Sequence, residues 1–154
     1  VTELGASQIW AFPADWSVAK WDGKKLGKKV EKLEKIALGA AEQSKRNLVP
    51  SITLFEKKAD FLAQFDQFDR IVVAYEESAK EGEAAALIQS LTGLEAGCKL
   101  LFIFGPEGGL SPAEIKSFTA KGAVLAGLGP RILRAETAPL YALSAVSVVT
   151  ELMN

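Results

Sequence analysis

Two stretches of the chain gather the residue types best suited to chemistry. The first is Phe104-Gly105-Pro106-Glu107-Gly108-Gly109-Leu110-Ser111-Pro112, which leaves the apolar run Leu100-Leu101-Phe102-Ile103. The second is Leu128-Gly129-Pro130-Arg131-Ile132-Leu133-Arg134-Ala135-Glu136-Thr137-Ala138, which leaves Ala123-Val124-Leu125-Ala126. Each takes a buried strand through a glycine-rich bend and releases it at a helix start. Glycine there supplies positive φ and lets a ligand approach bare backbone. Charged groups stand beside the glycines: Glu107 in one stretch, Arg131, Arg134 and Glu136 in the other. Two such loops so close together are expected to build one small-molecule site.

Composition narrows what that site can do. The 154 residues include no histidine and one cysteine, Cys98. This excludes an imidazole base, a Ser–His or Cys–His nucleophile and a His-ligated metal. It also excludes a disulfide framework and a thiolate metal site. Carboxylates, Lys, Arg, Tyr and backbone remain. No apolar run reaches the ~18 residues of a membrane span, and the opening residues lack a leader pattern. The expected compartment is the cytosol. Net charge is −1, so no global field points to nucleic acid. Charge is uneven, however. Between Trp21 and Arg46 the bases Lys24, Lys25, Lys28, Lys29, Lys32, Lys35, Lys45 and Arg46 face only Asp22, Glu31, Glu34 and Glu42. That excess fits a phosphate-tracking face and, equally, a solvated helix.

The length predicts one domain with its own core. Val1-Thr2-Glu3-Leu4-Gly5 reads as the tail of a helix with a glycine C-cap, as in a fragment cut inside or just before a domain. Residues 7–12 alternate polar and apolar before Pro13, predicting a strand. Residues 14–23 read as loop. Leu26, Val30, Leu33, Ala37, Ala40 and Ala41 recur at helical spacing and predict one long amphipathic helix over 24–46, with Gly39 inside it as a mark of close packing. A strand over 51–55 and a helix over 59–65 follow. Residues 70–75 predict a buried strand, 83–91 a helix, and 99–104 another buried strand. Ser111, Pro112 and Glu114 form a capping box with proline at the first helical position, and that helix stops at Lys121-Gly122. A last strand covers 123–128, and a closing helix runs over 137–153, with Pro139 in its first turn. Strands alternating with helices predict α/β with a mostly parallel sheet flanked by helices.

Open parallel sheets bind ligands at the carboxyl ends of their strands, and three buried strands end here near Glu76, Gly105 and Gly129. A Walker A loop would need Gly-Lys-Ser/Thr, but Gly109-Leu110-Ser111 has no lysine. The Gly-x-Gly-x-x-Gly spacing of a dinucleotide site is also broken. A carboxylate inside the loop would repel phosphate, so Glu107 suits a cationic or polar small molecule, or holds neighbouring backbone amides. Arg134 and Glu136 read either as site residues or as an ion pair closing the second loop.

Those same residues carry a resemblance. Phe104-Gly105-Pro106-Glu107-Gly108-Gly109, followed by Leu128-Gly129 and Ile132-Leu133-Arg134-Ala135-Glu136-Thr137-Ala138, resembles the RsmE family of 16S ribosomal RNA uracil-N3 methyltransferases, in the SPOUT superfamily. Thr2-Glu3-Leu4-Gly5, Ser17-Val18-Ala19-Lys20 and Ala41-Glu42-Gln43-Ser44-Lys45-Arg46 with Pro50 are similar to it in the same order. The resemblance is weakest over residues 57–97. It implies a C-terminal trefoil knot whose two loops, with Ala74-Tyr75-Glu76, form an S-adenosylmethionine pocket. It also implies a homodimer completing each site at its interface, with 16S rRNA in the small ribosomal subunit as partner. The family's N-terminal PUA-type RNA-binding domain has no counterpart in residues 1–154, which read as the SPOUT methyltransferase domain alone.

Within that resemblance each residue acquires a role. Ala74, Tyr75, Phe104, Gly105, Pro106, Glu107, Gly108, Gly109, Leu128, Gly129, Ile132, Leu133, Thr137 and Ala138 are the expected cofactor-binding positions. Main-chain groups at Gly105, Gly109, Leu128 and Leu133 would hold adenine and ribose, with apolar side chains there as ordinary core. N3 of uracil lies on the pairing edge, so the base must be unpaired or flipped out. A guanidinium beside O2 or O4 would stabilise the deprotonated base, and Arg134 is the first candidate. Arg46, from the same or the partner subunit, is the second. Glu136 or Glu107 would take the proton. Gln43, Arg46 and Lys20 are expected to contact RNA. Ribose 2′-hydroxyl methylation and a non-catalytic RNA-binding or ribosome-assembly module are the alternatives.

Overall fold

The computed structural model describes residues 1–77 and 84–153, with Ala84 described by its backbone only. Strand β1 (Gln8–Ala11) leads through a loop to helix α1 (Gly23–Gln43) and strand β2 (Ser51–Leu54). Helix α2 (Lys58–Leu62) and a 3-10 turn (Phe65–Gln67) precede β3 (Arg70–Ala74). Then come α3 (Ala84–Leu91), β4 (Leu100–Ile103), α4 (Pro112–Ala120), β5 (Val124–Ala126) and α5 (Ala138–Ser147), whose last turn, Val148–Leu152, widens to π geometry. Every strand pairing among the described residues is parallel: β1 with β2, and β3 with both β4 and β5. The expectation of parallel α/β architecture holds, with the strands in two ladders.

The local reasons lie in the sequence. Asp22 caps α1, its side chain accepting from the Lys24 amide. Helix α1 ends at Gln43, three residues before the expected Arg46, because Lys45 takes φ +55° and turns the chain away. Gly39 is not a close-packing position: a Cβ there would meet nothing within 4 Å. Gly39→Ala is therefore expected to stabilise the protein by about 0.5–1 kcal/mol, the cost of glycine in a helix interior, readable as a raised urea midpoint. Ser111 and Glu114 form both halves of the capping box, and Gly122 ends α4 at φ +91°. The predicted helix over 59–65 splits at Ala63 into α2 and the 3-10 turn, which lets Phe61 and Phe65 both point inward. Residues 2–5 form a turn, with Gly5 at φ +96°, rather than a helical tail. The first residue of the helix expected over 83–91, Glu83, lies outside the described residues.

Two clusters hold the layers together. On one side Phe61, Phe65, Ile71, Val73, Ile103 and Phe118 pack with Trp10 and Phe12. The Phe12 and Phe61 rings stack 4.3 Å apart, and Phe118 meets both edge-on. On the other, Val72, Leu87, Leu91 and Ala126 pack with Ala145, Val146 and Val149 of the closing helix. Alternate residues of β3 thus serve opposite faces, as a strand buried on both sides must.

Candidate active site

The order β4-β3-β5 places β3 between the two strands that feed the glycine loops. Val73 is in register with Ile103, and Ala74 with Ala126, so all three carboxyl ends lie at one level. The Tyr75 amide donates to the Ala126 carbonyl at 3.0 Å, carrying the register one residue further. With strands about 4.8 Å apart, the two loops start about 10 Å from each other across the end of β3. That span is comparable to the length of a nucleoside. The structure therefore brings Ala74, Tyr75, the 104–109 loop and the 128–138 loop together.

In the first loop the chain folds back tightly. The Gly109 amide donates to the Pro106 carbonyl at 2.8 Å, which closes a turn with Glu107 and Gly108 at its tip. Backbone closes this turn; the Glu107 side chain is exposed. A Cβ on Gly105 would stand 3.0 Å from Leu110 Cγ and 3.2 Å from both the Gly109 carbonyl carbon and the Leu110 nitrogen. Gly109 itself is at φ +81°. Gly105→Val must push backbone aside, and Gly109→Val puts a β-branched residue where L side chains are strongly disfavoured. Each is expected to weaken binding of the loop's ligand at least tenfold in a calorimetric titration; unchanged affinity in both would move the site elsewhere.

Backbone hydrogen bonds hold the second loop at its end. The Thr137 and Ala138 amides both donate to the Arg134 carbonyl at 3.0 Å, so a turn over 134–137 feeds α5. The Thr137 side chain makes no capping bond. Arg134 and Glu136 are 78% and 73% exposed, with Arg134 Nε 3.8 Å from Glu136 Oε2. The ion pair is formed but loose, and an exposed pair of this length contributes little. Both groups stay available to a ligand. Ile132, one of the expected cofactor-binding positions, is 79% exposed. Tyr141, which the sequence reading passed over, reaches Gly129: a Cβ there would stand 3.3 Å from the Tyr141 hydroxyl, and Gly129 is at φ +90°. The one cue was its spacing, a helical turn after Thr137.

An ionic cluster built on the buried Glu114 braces the first loop from behind. Glu114 is almost wholly buried, and accepts from the Ser111 and Asp15 amides, both at 2.8 Å. Lys58 Nζ lies 2.7 Å from Glu114 Oε1 and also pairs with Asp15. Ser111 Oγ donates to Asp15 at 2.5 Å. The hydrogen bond from Lys58, helped by that from Ser111, holds the Asp15 carboxyl below the usual carboxylate range. Burial pulls the Lys58 ammonium down, but its hydrogen bonds to Asp15 and Glu114 outweigh this and leave it raised. The cluster fastens the loop after β1 to the start of α4. As a result the Trp16 carbonyl would lie 3.3 Å from a Cβ on Gly108. Sequence revealed only the capping box. Asp15 and Lys58 are far apart in the chain and carried no signal.

Other expected residues lie elsewhere within the chain. Arg46 folds against Gly5, whose Cβ would meet its guanidinium at 3.6 Å, and its Nε is buried without a hydrogen-bond partner. Gly5 precedes β1, whereas Trp16 follows it, so Arg46 is at the opposite end of β1 from the glycine loop. Gln43 is the exposed last residue of α1, and Lys20 is exposed in the loop before it. Among the described residues no group of His, Cys, Asp and Glu is arranged to hold a metal ion, and no helix is long and apolar enough to cross a membrane.

Comparison with known proteins bears on this geometry directly. "Ribosomal RNA small subunit methyltransferase E" of Bacillus subtilis (strain 168) is 52% identical over 153 residues, covering 99% of this chain and 60% of the relative. The chain thus spans about 60% of the length of that curated relative. The crystal structure of a hypothetical protein superposes with a TM-score of 0.89 at 48% identity, covering 99% of this chain and 59% of the other. A ribosomal RNA small subunit methyltransferase E from Neisseria gonorrhoeae, solved bound to S-adenosyl methionine, superposes with a TM-score of 0.74 at 25% identity, over 97% of this chain and 58% of that one. The family model described as the RNA methyltransferase domain matches residues 1–147, and the chain belongs to that family.

Proposed function

We propose that this chain is the catalytic domain of an S-adenosylmethionine-dependent methyltransferase acting on N3 of a uridine in the 16S rRNA of the small ribosomal subunit. The observation that carries the reading is the convergence of two glycine loops on the end of β3, in a chain 52% identical to a ribosomal RNA small subunit methyltransferase E. The residues fit the cofactor. Gly105 lets the loop close on itself against Leu110, Gly109 leaves bare backbone facing open space, and Glu107 at the turn tip offers a carboxylate to a sulfonium or amino group. The group supplies a methyl on a positively charged sulfur, already electrophilic.

The chain's own residues do the rest. Main-chain groups at Gly105, Gly109, Leu128 and Leu133 hold adenine and ribose, with Ala74, Tyr75, Phe104, Pro106, Gly108, Gly129, Ile132, Thr137 and Ala138 around them. Arg134 stabilises negative charge at uracil O2 or O4 as the N3 proton leaves, and Glu136 accepts that proton. Arg46 cannot reach its own chain's glycine loop, so its role, like that of Gln43, is toward RNA or a partner subunit's site. Lys20 contacts RNA. The protein works in the cytoplasm as a homodimer: Leu140, Tyr141, Val148, Leu152 and Met153 leave an exposed apolar surface on the closing helix that a second copy would cover. In this reading the closing helix threads through a loop of the sheet to make a trefoil knot, and an N-terminal PUA-type domain completes the enzyme.

The test is methyl transfer to small subunits lacking the modification, by the chain joined to such a domain, with nucleosides resolved by mass spectrometry. The base-methylated uridine is expected. A ribose-methylated product would change the target, and no heat on titrating this chain with S-adenosylmethionine would sink the pocket.

A further inference from the structure

The lysines of α1 are the largest charged feature the site does not use. Lys24, Lys25, Lys28, Lys29, Lys32 and Lys35 are all exposed. At 3.6 residues per turn they fall within an arc of about 140°, along roughly 17 Å of helix axis. Glu31 lies about 20° beyond one edge of that arc and Glu34 about 80° beyond it. Glu31 stands four residues before Lys35, a spacing that favours pairing. Yet the ion pairs among the described residues are Lys58 with Asp15 and Glu114, and Arg134 with Glu136. The arc is therefore not neutralised by the protein. Lys29 alone has a neighbour of note, the Trp21 ring at 5.7 Å.

Helix energetics argue for a use beyond solubility. The first turn of α1 contains no acid, and Lys24 and Lys25 stand where the macrodipole disfavours cations. The helix end itself is already served by Asp22 and by Glu56, whose Oε1 would be 2.6 Å from a Cβ on Gly23. What remains open to an anion is the lysine face. Its position gives it direction. Helix α1 begins just after the loop whose Trp16 backbone lies against Gly108, and the Trp16 side chain is half exposed there. Lys20 and Trp21 lie between. Ammonium groups interleaved with indoles suit single-stranded RNA, whose phosphates take the cations and whose bases take the aromatic faces.

We propose that the lysine face of α1, continued by Lys20 and Trp16, is a track for the RNA backbone that leads single-stranded rRNA to the glycine loops. The proposal rests on the rRNA methyltransferase reading and assigns it a route. Salt-dependent binding of a labelled oligouridine of about 12 nucleotides to the whole chain tests it. One variant carries Lys24→Gln, Lys28→Gln, Lys32→Gln and Lys35→Gln. A second carries Lys57→Gln, Lys99→Gln, Lys116→Gln and Lys121→Gln, exposed positions outside α1, of which Lys57 lies near its first residue but off its lysine face. Both lose the same charge, and glutamine keeps lysine's helix propensity. The first is expected to lower the slope of log affinity against log salt by roughly 2–3, and affinity at ~0.15 M salt by about 10- to 200-fold. The second should stay within about twofold of wild type. S-adenosylmethionine titrations should match wild type in both. Equal losses in the two variants, or none in the first, would overturn the track alone. A wild-type chain that titrates S-adenosylmethionine yet binds no RNA would overturn the track, whereas the substrate reading is decided separately by methyl transfer to small subunits.

Discussion

Arg134→Ala is expected to reduce methyl transfer by about 10²–10³, the cost of losing one donor aimed at developing negative charge, while S-adenosylmethionine affinity stays within about threefold. The split follows from position. Arg134 lies in the second loop with its guanidinium 78% exposed and only a 3.8 Å contact to Glu136, so it holds up little of the fold. In the proposed reading it offers a positive charge to the base being methylated. Arg134→Lys keeps that charge without the planar pair of donors and should recover only part of the rate. Single-turnover rates beside calorimetric affinities make the check. A variant that loses cofactor affinity and rate together would place Arg134 among the binding residues instead.

Glu114→Ala is expected to destabilise the protein by about 3 kcal/mol, because it leaves the Ser111 and Asp15 amides without their acceptor and takes one of its two carboxylates from Lys58. For a chain this size that is a fall of roughly 6–12 °C in the thermal midpoint. Three interactions go at once: the Ser111 amide, the Asp15 amide and Lys58. The Pro106–Gly109 turn should loosen too, since the cluster fixes both the loop beneath Gly108 and the start of α4. Cofactor affinity is therefore expected to fall with stability, whereas Glu114→Gln, which keeps shape and one acceptor, should lose less of each. A midpoint within a degree of wild type would show that the cluster is ornamental.

The cluster also sets a pH window. Asp15 titrates below its ordinary value in the folded chain, so its contribution is full above about pH 4 and is lost as pH falls through the folded value. Lys58 is raised, so its contribution is full below about pH 10 and is lost as pH climbs through its folded value. Acid unfolding of Asp15→Asn should consequently be shallower than that of wild type.

Much of the site was legible because its signals are local. Glycine spacing, the missing P-loop lysine and the capping box at Ser111 and Glu114 each depend on residues within a few positions of one another. So do the buried strands expected over 70–75, 99–104 and 123–128, which run one or two residues past the observed ends at Ala74, Ile103 and Ala126, since period and composition mark a buried strand without fixing where its pairing stops. Parallel α/β architecture followed from the alternation of such segments.

Tertiary structure alone decided three things. Only the order β4-β3-β5 puts two glycine loops on either side of one strand end, because pairing is a choice among strands that sequence period leaves equivalent. The Asp15–Lys58–Glu114 cluster joins residues up to 99 positions apart, and charge attraction between distant positions leaves no periodic trace in the chain. Arg46 reads in sequence like a partner of Arg134, yet the turn at Lys45 and the run of β1 place it at the other end of that strand. Sequence by itself determined which loops bend, which helices start where, and which groups could do chemistry. Packing decided which of those groups meet, because proximity across the sheet depends on strand order and not on distance along the chain.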